Sequence, residues 1–143
     1  MYAADSNDRT DAGPGSSHPA LYWVVTVLAA IAFAVPGILN LVGAPHVVRD
    51  MAHLGYPRYF LAILGGWKLL GAVTILLPRL ARLKEWAYAG MLFDLTGAAA
   101  SRALSGDGIG TVAVPLAIGG IVFVSWGLRP AGRRLGSPST QTA

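Results

Sequence analysis

The chain has no cysteine and little charge for its length. The absence of cysteine excludes disulfides, thiolate metal sites and a dithiol redox centre built from this chain alone. Charged residues make up 13% of the 143 residues, against about 25% in a typical soluble domain, and 54% are hydrophobic. Mean hydropathy is +0.53. This balance predicts a membrane protein.

Four apolar stretches, at about 20–43, 58–77, 85–104 and 109–128, could each cross a hydrocarbon core, which takes about 20 helical residues. None shows the polar–apolar alternation of a membrane strand. The sequence therefore predicts an all-α membrane protein with a four-transmembrane-helix bundle at 20–129. The polar composition of 1–19 predicts a disordered tail, and 130–143 form a basic, then polar tail.

Basic residues are concentrated on one side of this bundle. With four crossings, both termini and the 78–84 connection share a side, which holds Arg9, Arg79, Arg82, Lys84, Arg129, Arg133 and Arg134, against Arg49, Arg58 and Arg102 opposite. The positive-inside rule then predicts a multi-pass membrane protein with both termini in the cytoplasm. Because this placement explains the formal charge of +4, a nucleic-acid partner is not expected.

Two charges lie in the middle of apolar stretches, Lys68 within 58–77 and Asp94 within 85–104. A charge at the bilayer centre costs about 2.5–3.5 kcal/mol on insertion scales. Lys68 lies ten residues before Pro78, and Asp94 lies ten residues after Lys84. In two antiparallel helices, both charges would then lie about 15 Å from the same interface. The sequence therefore predicts that Lys68 and Asp94 pair.

The role of this pair has two open interpretations. Either it is a buried ion pair that fixes the register of two helices, or it lines a polar cavity that binds a ligand or relays a proton. Asn40 in the first span and Trp67 beside Lys68 are further candidates for the lining. All three histidines lie outside the predicted spans, so an intramembrane haem held by histidine is not expected. No cofactor is assigned.

The segment APHVVRDMAHLGYP after the first span predicts a short interfacial helix. Pro45 suits its first position and Gly55 its end. His46, Asp50 and His53 are weak candidates for a metal site, because they share one face at i, i+4 and i+7. Any amphipathic helix has this spacing, so no metal is expected, and a headgroup-facing surface is favoured. A lid over an outer cavity is a further alternative.

Two acidic residues fall near the expected starts of the third and fourth spans. Glu85 opens the third span, and Asp107 precedes the fourth in the turn SGDGIG. A carboxylate in the first turn interacts favourably with the helix dipole, and an aspartate can cap the first backbone N–H groups. The sequence therefore predicts a structural, helix-capping role for both residues.

Four short motifs carry a resemblance to a known family: LGYP, KLLGA, EWAYAG followed by DLTGA, and SWGLRP. Over about 37–130 the chain resembles the DoxX-like family of small bacterial membrane proteins. The resemblance implies an integral, multi-pass protein of the bacterial plasma membrane, similar in outline to subunits linked with thiosulfate:quinone oxidoreduction. Other relatives are associated with redox or detoxification pathways. No catalytic residue is carried over from the resemblance.

These observations favour an integral membrane accessory protein. It would bind a quinone-like or other lipophilic small molecule, or a membrane redox partner, through Lys68 and Asp94, with Asn40 and Trp67 beside them. One alternative is a small membrane enzyme acting on a lipophilic substrate, with Asp94 as acid or base and Lys68 tuning its pKa. Another is a structural protein that forms homo-oligomers in the lipid bilayer without a ligand.

Overall fold

The computed structural model describes residues 19–78 and 80–129. Within these ranges the chain forms five helices and no strand: α1 (Pro19–Leu41), α2 (Pro45–His53), α3 (Phe60–Leu76), α4 (Ala81–Leu104) and α5 (Ile109–Gly127). The predicted all-helical class is therefore confirmed. The predicted tails, at 1–19 apart from Pro19 and at 130–143, lie outside the described residues.

Glycines with positive φ mark the ends of three helices. Gly43 follows α1, Gly55 follows α2 and Gly106 follows α4, with φ of 63°, 79° and 79°. Glycine adopts this left-handed conformation without the steric cost of a Cβ atom, which makes it a common helix stop. Pro45 occupies the first turn of α2, as the sequence predicts. The helix ends around α2 are thus encoded locally.

The four long helices form a closed ring, in which α1 packs against α3 and α5, and α4 also packs against α3 and α5. Within this helix ring, the start of one helix lies beside the end of its neighbour. Thr26 in the first half of α1 bonds Ser125 near the end of α5. Lys84 near the start of α4 bonds the carbonyl of Ile75 near the end of α3. Neighbouring helices therefore run antiparallel.

α1 and α3 approach each other closely through two glycines. A Cβ atom at Gly65 would lie 2.8 Å from the carbonyl oxygen of Gly37 and 2.8 Å from Cγ of Leu41. A Cβ atom at Gly37 would lie 3.1 Å from Cβ of Lys68. Small residues permit such backbone approach between helices in membranes. The contact fixes the backbone at Lys68 directly against α1.

Two of the described helices are long and apolar enough to cross a membrane, Ala20–Leu41 and Ile109–Gly127. Phe60–Leu76 is equally apolar in character but shorter, at 17 residues. Large aliphatic side chains face outward along α1, including Leu28, Ile31 and Val35, each about half exposed. A soluble protein rarely exposes so continuous an apolar surface. The exterior of the ring is therefore suited to contact with lipid.

Candidate functional site

Lys68 and Asp94 form an ion pair at the middle of α3 and α4. The ammonium Nζ of Lys68 donates to Oδ1 of Asp94 over 2.7 Å, so the pairing predicted from the sequence is confirmed. The two side chains are 16% and 19% exposed. Among the described residues this is the only hydrogen bond of either group. Two N–H groups of the ammonium and one carboxylate oxygen therefore remain able to bind another molecule.

Three cavities meet at this ion pair, and both charged residues line each of them. The first, here the lateral chamber, measures about 270 Å³ and lies between α3 and α4. Its remaining walls are apolar side chains and one glycine: Phe33, Leu64, Trp67, Ala87, Gly90 and Met91. The ion pair thus supplies the polar groups of an otherwise apolar space.

The other two cavities extend from the ion pair towards α2. The outer chamber, about 500 Å³, lies between α1, α4 and α5 and reaches Asp50, Arg102 and Thr111. The α2-side chamber, about 250 Å³, reaches Met51, Leu54, Tyr56, Phe60 and Ser101. Arg102 lies eight residues after Asp94, which corresponds to about 12 Å along α4. The pair is therefore accessible from several sides of the ring.

A set of polar contacts holds α2 at the end of α4. Arg102 donates to Oδ2 of Asp50 over 3.2 Å and to Oδ2 of Asp107 over 3.1 Å. Nε2–H of His53 donates to Oδ1 of Asp107 over 2.7 Å. This hydrogen bond and the guanidinium of Arg102 hold the pKa of Asp107 below its usual value of 3.8. α2 itself has no buried residue, so these contacts fix its position.

The same contacts bear on two interpretations of the sequence, and one of them, the capping role of Asp107, is wrong. Asp107 does not cap α5, because the N-cap residue is Gly108 and no side chain accepts a cap hydrogen bond from the first backbone N–H groups. Among the described residues, no three of His, Cys, Asp and Glu lie close enough to hold a metal ion. The weak candidates separate because Asp50 bonds Arg102, His53 bonds Asp107, and His46 is exposed.

Residues 24–125 match the DoxX-like family. The chain belongs to the DoxX-like family. The matched range runs from α1 to α5 and includes the ion pair and the walls of all three chambers. No curated protein and no solved structure matches the chain. Family membership, with two helices apolar and long enough to span a bilayer, identifies this DoxX-like protein as a membrane protein.

Of the other two candidate lining residues of the DoxX-like protein, only Trp67 lines a chamber. Asn40 is buried, at 6% exposure. It packs against α3, because a Cβ atom added at Gly65 would lie 3.1 Å from the Cβ atom of Asn40. None of the three chambers is lined by Asn40. Trp67 lines the lateral chamber, but it is 70% exposed and therefore stands at its edge. Their proposed part in ligand binding stays a prediction.

A buried hydroxyl network, which the sequence did not reveal, lies at the end of the DoxX-like ring opposite α2. Ser125 Oγ is 2.9 Å from Thr26 Oγ1 and 2.9 Å from the Tyr88 hydroxyl. The three side chains are at most 1% exposed. Their hydrogen bonds satisfy polar groups that would otherwise be costly to bury. No spacing in the sequence predicts a contact between residues 99 positions apart.

Lys84 and Glu85 lie inside α4 of the DoxX-like protein, because that helix begins at Ala81. Glu85 is therefore not a first-turn residue, and the predicted capping role is wrong. Its carboxylate accepts hydrogen bonds from Arg129 Nη2 over 2.7 Å and Trp126 Nε1 over 2.8 Å. Lys84 is 1% exposed and donates to the Ile75 carbonyl over 2.7 Å. Both residues join α4 to a neighbouring helix.

Proposed function

We propose that this DoxX-like protein is an integral membrane accessory protein that binds a lipophilic small molecule at the Lys68–Asp94 pair. The observation that supports this function is the meeting of three cavities at these two side chains. An ion pair that only holds two helices together needs no adjacent space, and protein interiors are normally close-packed. The free N–H groups of Lys68 suit a quinone-like oxygen.

The proposal includes four membrane crossings by α1, α3, α4 and α5, with α2 lying at the interface. α3 has 17 residues, which span about 26 Å and approach the thickness of the hydrocarbon core, about 30 Å. In α4, neutralisation of Asp94 by Lys68 lowers the cost of placing its charge in lipid. The excess of basic residues at the termini and between α3 and α4 favours cytoplasmic termini in a bacterial plasma membrane.

The accessory role follows from the chemistry of the chain. It has no cysteine, and the ion pair can hold and orient a molecule but cannot accept or donate electrons itself. We therefore propose that a membrane redox partner would exchange electrons with the bound molecule. The enzyme alternative, with Asp94 as acid or base, predicts turnover of a lipophilic substrate by the purified protein alone.

A charge swap tests the proposed binding role. In Lys68→Asp with Asp94→Lys the ion pair can form again, but donor and acceptor exchange helices. We expect the swapped protein to fold, as judged by circular dichroism and gel filtration in lipid nanodiscs. We expect its affinity for a decyl-substituted benzoquinone to fall by about tenfold or more, because the donor moves from α3 to α4 and no longer meets the oxygen of the bound molecule.

The matched control is Thr96→Val, which removes a polar group from α4 outside the three chambers. Thr96 is exposed and bonds only carbonyl groups of its own helix. This variant should keep the wild-type affinity. Equal affinity of the charge-swapped and wild-type proteins, or no saturable binding by either, would leave the ion pair with only a structural role.

A further inference from the structure

The lateral chamber opens on the outer side of α3 and α4. Phe33, 2% exposed, lies at its back, while Trp67 and Gly90 are exposed at its edge. Trp67 is the eighth of the 17 residues of α3 and so lies near its midpoint. With four crossings, the edge of this chamber would face the hydrocarbon core directly.

The volume of the lateral chamber limits the size of its occupant. An apolar cavity of about 150 Å³ holds a benzene molecule, and typical sites for drug-sized ligands measure about 300–1,000 Å³. At about 270 Å³, the chamber has room for one or two rings. The apolar walls of the chamber favour a ring compound that has no polar substituent away from the ion pair, because each buried polar group would need a partner.

The charges of the ion pair determine which polar group a bound molecule can carry. Lys68 and Asp94 together carry no net charge, so a charged ligand would enter a low-dielectric space without a counter-ion. An uncharged hydroxyl can donate to Oδ2 of Asp94, and a hydroxyl or carbonyl oxygen can accept from Nζ of Lys68. The electrostatics of the site therefore favour a neutral molecule with such an oxygen.

We infer that the lateral chamber is a bilayer-side binding site for a small, flat, uncharged ring compound with a hydroxyl or carbonyl group. Gly90 determines the size of the ring compound that the lateral chamber accepts. A Cβ atom at Gly90 would meet no other atom within 4 Å, so the missing side chain leaves open space in the chamber wall. This inference rests on the proposed function, because it assigns the lipophilic molecule to one of three chambers.

The test measures binding of 2-naphthol, by its fluorescence, to the full chain in lipid nanodiscs. We expect saturable binding to the wild type, about tenfold or more weaker binding of naphthalene, which lacks the oxygen, and none of naphthalene-2-sulfonate, which is charged. Gly90→Leu fills the chamber and should weaken 2-naphthol binding by about tenfold or more. Gly90→Ala should weaken binding of 2-naphthol more than binding of the smaller phenol.

Two matched substitutions serve as controls, since a Cβ atom at Gly97 or Gly120 would also meet nothing within 4 Å. Gly97 lines the α2-side chamber, and Gly120 lines none of the three. Gly97→Leu and Gly120→Leu should keep the wild-type affinity. If Gly90→Leu fails to fold, Gly90→Ala, with a single added methyl group, provides the same comparison.

The outcomes separate this inference from the proposed function. Unchanged affinity in Gly90→Leu and Gly90→Ala would overturn the inference. If Gly97→Leu weakened binding instead, the molecule would occupy the α2-side chamber, and the proposed function would stand. Equal affinity for 2-naphthol and its sulfonate counterpart would also overturn the inference. If the wild type showed no saturable binding of any ring compound, both proposals would fail.

Discussion

The stability of the helix ring should depend on Lys68 and Asp94 as a unit. Lys68→Met leaves the carboxylate of Asp94, 19% exposed, without its partner on α3. Loss of one member of a buried pair costs about 3–5 kcal/mol, because the remaining charge is uncompensated. Because Asp94 is only partly buried, we expect the lower end of this range, about 3 kcal/mol of unfolding free energy.

The double replacement Lys68→Met with Asp94→Leu should recover most of this loss. Buried ion pairs replaced by apolar side chains of similar volume are often neutral or stabilising, and we expect the wild-type value to within about 1 kcal/mol. The assay is reversible unfolding in mixed micelles, followed by circular dichroism. Arg82→Met, at an exposed position of α4, is the control and should change stability by less than about 0.5 kcal/mol. A double variant as unstable as Lys68→Met would refute the reasoning.

Three further predictions use the same unfolding assay. Gly65→Ala should cost about 1–3 kcal/mol because its Cβ atom would clash with α1, whereas Gly66→Ala, with open space around it, should not destabilise. Ser125→Ala should cost about 1–3 kcal/mol because it removes the buried hydroxyl that bonds both Thr26 and Tyr88, unlike Ser105→Ala at an exposed site. The stabilising contribution of Asp107, whose pKa is lowered on folding, should be complete above pH 3.8 and lost as the pH falls through the lowered pKa.

Each of these three predictions has a result that contradicts it. Equal stability of the Gly65 and Gly66 variants would mean that α1 and α3 are further apart than the structure shows. A neutral Ser125→Ala would mean that the bonds to Ser125 do not stabilise the ring, since Thr26 and Tyr88 are satisfied without them. For Asp107, the stability difference between wild type and Asp107→Asn should shrink below pH 3.8, and a constant difference would rule out the lowered pKa.

The sequence was most informative where a single helix pair determines the contact. Lys68 and Asp94 were expected to pair because their distances from a short connection match, and α3 and α4 are consecutive long helices. Pro45 and Gly55 likewise bound α2 through local backbone preferences. Such features depend only on segments that are close together in the chain, so they can be predicted from the sequence.

Contacts that depend on how the helices pack into the ring could not be predicted from the sequence. The bond between Thr26 and Ser125 depends on the packing of the first long helix against the last. Lys84 looked like part of a basic loop, but α4 begins three residues earlier, and its ammonium reaches the carbonyl of Ile75. Cationic side chains commonly bond the last carbonyls of a helix, but sequence does not show which helix is in reach.

The most direct test of ligand binding at the ion pair uses the two lysines of the chain, Lys68 and Lys84. NMR of protein labelled with ¹⁵N at the lysine side chains gives one signal for each ammonium group. Titration with 2-naphthol in nanodiscs should shift the signal of Lys68 saturably and leave that of Lys84, which lies outside the three chambers, unchanged. Shifts of both signals together, or of neither, would contradict binding at the Lys68–Asp94 pair.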